Sequence, residues 1–177
     1  MTTTTELEAV NTMLSALGSH PISALTGAMS ADASLAQVLL AEVHRDVLLD
    51  GWHFNTELEV TVTPDAITDR ISIDASVVRV DVSPGYNYDV DVVQRGLELY
   101  DRKNHTWTFD STLTCDFVYE LAWDQLPEAC KRYIQVRAAR MLVDRLDGDR
   151  AQHVYTAQDE QSALSRLNVH DASTGDR

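Results

Sequence analysis

The sequence predicts an α+β fold, in which helices flank a run of antiparallel strands. Apolar residues recur at helical spacing near both ends of the chain, and through its middle they alternate with polar residues at the two-residue period of a strand. We therefore expect an N-terminal helical part over residues 1–55, an antiparallel β domain over residues 56–123 and C-terminal helices over residues 124–177. In this arrangement an N-terminal helical hairpin and two C-terminal helices pack as a bundle, with the β-sheet domain inserted between them.

The first helix is predicted by a capping box, in which Thr5 is followed three residues later by Glu8. Gly18 ends this helix, because glycine readily adopts the left-handed conformation of a C-terminal cap. A second helix is predicted over residues 31–50, with Gly51 at its C-terminal cap. The apolar stripes are Leu7, Val10, Leu14 and Leu17 in the first helix, and Leu35, Leu39, Val43 and Val47 in the second.

Strand candidates follow wherever apolar and polar residues alternate. They cover residues 58–62, 70–73, 76–82, 88–100 with a break near Gly96, 106–110 and 113–123. In the first candidate, Leu58, Val60 and Val62 are expected on one face. The last has the clearest alternation, and its apolar side consists of Leu113, Cys115, Phe117, Tyr119, Leu121 and Trp123. Together the candidates predict an antiparallel meander with one packed face.

Two further helices are predicted after the strands. Pro127 suits the first turn of a third helix, where its missing N–H is not needed. The apolar face of this helix is formed by Ile134, Ala138, Met141 and Leu142, and Gly148 marks its end. A fourth helix is predicted over residues 152–168, followed by a frayed tail from residue 171 onward.

The composition excludes several classes of protein. Lys and Arg number 14 against 28 Asp and Glu, which gives a formal net charge of −14, and such a surface repels nucleic-acid phosphates and anionic lipid. No apolar run is long enough to cross a bilayer, and the opening MTTTTELEAV lacks the basic and apolar stretches of a signal peptide. Cys115 and Cys130 are expected as buried free thiols in a reducing cytosol. We expect a protein made and kept in a cytoplasm, without membrane association.

Sequence signals of catalysis are weak. The chain has no nucleotide-binding glycine motif, no nucleophile elbow and no zinc-type spacing of Cys and His. A carboxylate pair such as Glu57 and Glu59 resembles the acid and base of a glycosidase, but 28 acids among 177 residues produce such pairs by chance. We therefore predict that the protein is not an enzyme and binds no metal or cofactor.

Basic residues are concentrated in the third predicted helix. Six of the 14 lie within one 20-residue stretch: Lys131, Arg132, Arg137, Arg140, Arg145 and Arg150. Two interpretations are open, namely contact with DNA, and pairing with acidic residues of the same chain or of a neighbouring copy. The net charge of −14 favours pairing.

A second concentration of polar residues occurs in LELYDRKNHTWTFD, residues 97–110. Alternation places Leu97 and Leu99 on one face of one strand, and Trp107 and Phe109 on one face of the next, so that RKNH is the four-residue connection of a hairpin. Its side chains Arg102, Lys103 and His105 gather there because a turn tip is solvated. The pattern predicts a tip that docks on an acidic partner, in preference to a catalytic cluster.

Five stretches, in order along the chain, resemble the family of tail tubular protein A of T7-like podoviruses. They are residues 9–25, 34–57, 92–110, 124–149 and 158–164, of which VVQRGLELYDRKNHTWTFD (92–110) is the most recognisable. The resemblance implies a structural protein of the virion tail, assembled in the host cytoplasm. It further implies a head-to-tail adaptor: a ring of twelve copies between the portal protein and the tail nozzle protein (tail tubular protein B), with no cofactor and no catalytic residue.

In that ring, double-stranded DNA passes through the channel without specific binding, and we expect much of the negative charge to face it. The expected interface residues are Arg102, Lys103, His105, Lys131, Arg132, Arg137, Arg140 and Arg145. Two alternatives stay open. One is a tail-associated hydrolase that acts on host polysaccharide through a carboxylate pair, and the other is a head-completion adaptor of another tailed phage.

Overall fold

A computed structural model describes residues 3–146 and 155–175 and confirms the α+β class. The chain forms two compact units, Met1–Val47 with Ala122–Arg177, and Leu48–Leu121. Three sequence predictions lie outside the described residues: the helix end at Gly148, Arg150 of the basic stretch, and the start of the fourth helix at residue 152.

Four α-helices occur in the described residues. Helix α1 covers Glu6–Ala16, α2 Ala31–Leu49, α3 Glu128–Leu146 and α4 Ala157–Gly175, and single 3-10 turns lie at His53–Asn55 and Trp123–Gln125. In the first unit, α1 packs on α3, and α3 packs on α4.

Helix α1 begins and ends as predicted. The Thr5 hydroxyl accepts a hydrogen bond from the Glu8 backbone N–H, and the Glu8 carboxylate accepts one from the Thr5 N–H, which completes the capping box. At the other end Gly18 has φ +75°, and the Ser19 N–H reaches the Leu14 carbonyl at 2.9 Å. This is the hydrogen bond of a Schellman cap. The buried face is Ala9, Val10, Met13 and Leu14, so the predicted Leu7 and Leu17 lie at its half-buried margins.

The last helix differs from its prediction. Helix α4 starts at Ala157, behind a Thr156 cap in which the Asp159 carboxylate accepts from the Thr156 N–H at 2.8 Å. The Asp159 N–H in turn donates to the Thr156 hydroxyl at 3.2 Å. The helix then continues to Gly175, so the expectation of a frayed tail from residue 171 is wrong for residues 171–175.

The second unit contains five strands. They are β1 Thr56–Val62, β2 Val77–Val82, β3 Val92–Arg95, β4 Glu98–Asp101 and β5 Leu113–Tyr119. Strands β1, β5 and β2 form an antiparallel sheet in that order, and β3 pairs with β4 as a separate hairpin. The predicted meander is therefore wrong, because the last strand lies between the first two. Long connections precede and follow β2, so no tight turn forces neighbours in sequence to pair.

Two predicted strands are reduced to single bridges. Residues 70–73 contribute only the bridge from Ser72 to Glu98, and residues 106–110 only that from Thr106 to Asp101. Ile71, Ile73 and Phe109 from these stretches are nevertheless in the core of the unit, whereas Trp107 is half-buried and lies outside it. That core consists of Ile71, Ile73, Val77, Val80, Val92, Leu99, Phe109, Leu113, Cys115 and Phe117.

Strand β1 contains a bulge that the alternation did not predict. Glu57 is paired with Phe117 and Val60 with Cys115, so β1 holds one more residue than β5 between these pairs. Glu59 takes φ +56° in the bulge, and its N–H donates to Asp116 at 2.9 Å. Because a bulge shifts the facing of the strand, Leu58 is 69% exposed and does not share the inner face of Val60.

Candidate interaction surfaces

The predicted hairpin tip is present. Residues 102–105 form a four-residue turn, closed by hydrogen bonds of 2.9 and 3.2 Å between the backbones of Asp101 and Thr106. His105 has φ +56°, the left-handed conformation at the end of the turn. The side chains of Arg102, Lys103 and His105 are exposed, as the sequence predicts for a solvated tip.

A buried carboxylate organises this turn. Asp101 is 2% exposed and accepts hydrogen bonds from the backbone N–H groups of Asp91, Lys103 and Asn104 and from the Asn104 side chain at 2.6 Å. Burial raises the pKa of the Asp101 carboxyl, but these hydrogen bonds outweigh burial and hold the pKa below its ordinary value. Asp101 was not among the predicted site residues. The sequence pattern that could have identified it is an Asp directly before a polar turn, because the carboxylate of such an Asp accepts a hydrogen bond from the backbone N–H two residues later.

Arg102 and Lys103 of the tip contact residues that directly precede β3. The Arg102 guanidinium donates to the Asp91 carboxylate at 2.7 and 2.9 Å, with 67% of the Arg102 side chain exposed. Lys103 Nζ lies 3.0 Å from the Tyr88 carbonyl and 3.8 Å from Asp89. Exposed ion pairs contribute about 0–1 kcal/mol, so a docking partner can replace them at small cost.

On helix α3, Lys131 lies in the interior. Its side chain is 1% exposed, and its ammonium group lies 3.4 Å from the Glu128 carboxylate. Glu128 also accepts from the Thr4 N–H at 2.9 Å and the Thr4 hydroxyl at 2.8 Å. Burial raises the pKa of Glu128, but the Thr4 hydrogen bonds and the Lys131 charge outweigh it and hold the pKa below its usual value. Lys131 therefore belongs to the fold of its unit and is not a surface group.

The arginines of α3 also find partners within their own unit. Arg140 contacts Glu160 at 2.5 Å and Asp144 at 3.0 Å. Arg145 lies 3.3 Å from Glu42. Arg137 donates to the Tyr133 hydroxyl at 3.3 Å, and Arg132 donates to Gln135 at 3.2 Å and lies 5.3 Å from the ring centre of Tyr155. The pairing with acidic residues of the same chain, one of the two interpretations of this stretch, is thus observed for Arg140 and Arg145.

A cluster outside the predicted residues lies on the β3–β4 hairpin. We call it the arginine–aromatic patch: Arg70, Arg95, Tyr100 and Trp107. The Tyr100 and Trp107 rings meet edge to face with centres 5.0 Å apart, and the Arg95 guanidinium lies 3.6 Å from the Tyr100 ring centre. Arg70 lies 5.6 Å from the Trp107 ring centre and 3.0 Å from Glu98. Trp107, predicted on one face with Phe109, is half-buried here, whereas Phe109 is in the core.

One cleft and the two thiols of the described residues bear on catalysis. The cleft beside β1, of about 380 Å³, is lined by Gly51, Trp52, His53, Thr56 and Leu58 and holds no carboxylate. Burial, chiefly, raises the pKa of Cys115 to about 11 and that of Cys130 to about 12, so both thiols are poor nucleophiles. Residues 3–146 and 155–175 contain no group of three or more acidic, His or Cys side chains that suits a metal ion.

None of the helices in the described part of the chain has the length and apolar character needed to span a lipid bilayer.

Comparison with known proteins gives two findings. A family model described as tail tubular protein matches residues 7–177. Tail tubular protein A of Klebsiella phage KP34 is 29% identical over 168 residues, which cover 93% of this chain and 86% of that protein. The family match extends through both compact units, including the hairpin tip and helix α3.

Proposed function

The chain belongs to the tail tubular protein family of structural phage-tail proteins, and from this premise we propose that it is a head-to-tail adaptor that forms a ring between the portal and the tail nozzle. The observation that carries the proposal is the family match over residues 7–177. The ring has twelve copies, continues the DNA channel and has no enzymatic activity. It binds the portal protein on one side and the nozzle protein on the other.

The charge of the chain supports a conduit for DNA. Each basic side chain that neutralises a phosphate adds a salt-dependent binding term, whereas an acidic wall lets the duplex slide. With a net charge of −14, the chain can supply such a wall while it keeps some basic groups for protein contacts. A cyclic ring also needs two different patches that meet on neighbouring copies, and a surface with both signs of charge provides them.

The hairpin tip is our proposed docking point for an acidic protein partner. Arg102, Lys103 and His105 project from a turn that Asp101 holds in shape, so little order is lost when a partner binds. The proposed interface also includes four arginines of α3, which would bind a partner's carboxylate in place of, or in addition to, their present contacts: Arg132, Arg137, Arg140 and Arg145. Lys131 is left out because its side chain is 1% exposed.

Portal-dependent assembly tests this function. The purified chain is analysed by size-exclusion chromatography with light scattering, alone and with purified portal, and the complex is imaged by electron microscopy. We expect a ring on the portal, with an acidic inner wall. A chain that never joins the portal would contradict the adaptor role, and a ring with a basic inner wall would contradict the proposed use of the negative charge.

A further inference from the structure

The outer face of the β3–β4 hairpin combines half-buried side chains with one exposed arginine, Arg95. In the register of the hairpin, Arg95 is directly opposite Glu98, and Tyr100 is directly opposite Val93. Because side chains alternate along a strand, these four lie on one face, while Val92 and Leu99 point into the core. The arginine–aromatic patch occupies this outer face.

Within the patch, Arg95 is the arginine that has no ion-pair partner among the described residues. Arg70 is paired with Glu98, whereas in residues 3–146 and 155–175 Arg95 has no carboxylate at ion-pair distance. Its guanidinium is held 3.6 Å from the Tyr100 ring centre, with its side chain exposed. Stacking on an aromatic ring orders an arginine before binding, so less side-chain entropy is lost when its donors meet an acceptor. Arg, Tyr and Trp are also the residue types that carry most binding energy in protein interfaces.

A complementary surface lies on the outer face of the three-stranded sheet. Asp81 of β2 is directly opposite Asp116 of β5, and directly opposed like charges destabilise a sheet. Asp81 is exposed and, among the described residues, accepts a hydrogen bond only from the Val82 N–H that follows it. Asp116 accepts from the Ser83 hydroxyl and the Glu59 N–H. Among the described residues, no basic side chain forms an ion pair with either carboxylate.

We propose that the arginine–aromatic patch of one copy docks on the Asp81–Asp116 pair of the next copy, with the Arg95 guanidinium between the two carboxylates. The proposal rests on the ring described above and names one contact that builds it. The two surfaces are different patches of the same chain, so their contact is heterologous, as a closed ring requires. A planar guanidinium matches carboxylate oxygens in a way that a lysine does not.

A second copy fits this patch better than a nucleic acid does. The chain carries 28 acids against 14 bases, so a duplex that approaches Arg95 also meets the repulsion of the surrounding acidic surface. Another copy has the same net charge, but it meets Arg95 with one fixed surface, on which the Asp81–Asp116 pair has no basic ion-pair partner among the described residues. Arg95 would thus place a positive charge beside two carboxylates whose residues are opposite each other in the register of the sheet.

Charge exchange tests the contact. Four proteins are compared for assembly on the portal: the wild type, Arg95→Glu, Asp81→Arg, and the variant with both changes. We expect each single change to raise the concentration needed for half-maximal ring assembly about tenfold or more, and the combined variant to recover part of this loss, because the arginine introduced at position 81 then faces the glutamate introduced at position 95 while Asp116 keeps its negative charge. Asp81→Arg should leave the melting temperature unchanged or raised, since it pairs with Asp116 in its own chain.

Arg166→Glu is the matched control. Arg166 is exposed on α4, and its replacement by glutamate changes the charge by the same amount as Arg95→Glu does. We therefore expect Arg166→Glu to assemble as the wild type does. The inference is overturned if Arg95→Glu assembles like this control. It is also overturned if the combined variant needs as high a concentration for half-maximal assembly as the more impaired of the two single variants.

Sedimentation velocity of the same four proteins without portal separates this inference from the proposed function. If the single variants lose self-association, the combined variant regains part of it and the chain does not bind portal, the copy–copy contact is supported and the adaptor role is overturned. A wild-type chain that shows no copy–copy contact in either setting overturns the inference. Binding to portal with Arg95→Glu unaffected overturns the contact and leaves the adaptor role intact.

Discussion

Helix α3 and the β3–β4 hairpin both carry basic side chains on a strongly acidic protein, and the two regions use them differently. On α3, Arg140 contacts Glu160 and Asp144, and Lys131 is enclosed beside Glu128. On the hairpin, Arg95 lies over Tyr100 and, in the part of the chain that the structure describes, has no carboxylate partner. A run of basic residues in the sequence therefore does not by itself predict a docking surface. The position of the counter-charges decides whether a basic group is available.

The largest effect on stability is expected at Lys131. Lys131→Ala removes a fully buried stem and an ion pair, and we expect the free energy of unfolding to fall by about 2–4 kcal/mol. Chemical denaturation followed by circular dichroism measures it. Glu128 is about half exposed, so solvent screens part of the pair and most of the loss comes from packing. Lys131→Met is the control: it keeps the stem and should cost about 1 kcal/mol or less. Equal losses in both variants would show that the charge matters more than the packing.

The next effect is expected at the base of the hairpin. Asp101→Asn replaces an acceptor of several hydrogen bonds with a group that accepts fewer, and we expect a loss of about 1–3 kcal/mol in the free energy of unfolding. Asn104→Ala, which removes one donor to the same carboxylate, should cost less. An unchanged stability in Asp101→Asn would contradict the role of this carboxylate in holding the turn.

The same side chain predicts a pH dependence. The pKa of Asp101 is lowered in the folded protein, so its contribution is fully present above the unfolded value near pH 4 and is lost as the pH falls through the folded pKa. The difference in unfolding free energy between wild type and Asp101→Asn should therefore be constant near pH 7 and shrink below about pH 4. A difference that grows on acidification would contradict the assignment.

Smaller effects are expected on the exposed side of α3. Arg140→Ala loses contacts with Glu160 and Asp144 at a partly buried site, and we expect about 1 kcal/mol. Arg145→Ala loses a pair in which both side chains are nearly half exposed, and we expect less than about 0.5 kcal/mol. Thermal melts of the two variants sharpen the comparison, because equal losses would mean that burial does not set the strength of these pairs.

The hairpin tip should show almost no effect on stability. Replacing Arg102 and Lys103 together with glutamate removes only exposed contacts, so the melting temperature should change little. Assembly on the portal should nevertheless be impaired. The matched control is the variant in which Arg45 of α2 and Arg166 of α4, both exposed on the other unit, are replaced together with glutamate, which makes the same change in charge. Normal assembly of the tip variant would reduce residues 102–105 to a turn without a docking role.

Local signals in the sequence were sufficient for the two ends of α1 and for the buried stripe of α2. The capping box of Thr5 and Glu8 and the glycine cap at Gly18 depend on residues within one turn of each other, and both are confirmed. The stripe of Leu39, Val43 and Val47 is buried on α2 as predicted. Such features could be read from the sequence because the atoms that stabilise them are close neighbours along the chain.

The sheet was harder to predict because its pairing is set by distant residues. Alternation correctly marked β5 as a strand, but nothing near Leu113 indicates that β1 and β2 lie on either side of it. The bulge at Glu59 depends on Asp116, which accepts its N–H from 57 residues away. Alternation alone therefore placed Leu58 on the wrong face.

The candidate sites show the same difference between features that depend on neighbouring residues and features that depend on distant ones. The tip at residues 102–105 could be predicted from its polar turn residues. The sequence did not indicate that Arg95 is a candidate docking residue, because a single arginine in a strand is ordinarily a solvated side chain. Only the register across Gly96 places it beside Tyr100 on the outer face.

The most direct test is the structure of the ring assembled on the portal, determined by cryo-electron microscopy at a resolution that shows side chains. We predict that the Arg95 guanidinium lies within about 4 Å of Asp81 or Asp116 of the adjacent copy, while Arg140 and Arg145 keep Glu160 and Glu42 within their own chain. A ring in which Arg95 points into solvent and the α3 arginines pair with the neighbouring copy would contradict the contrast between the two regions.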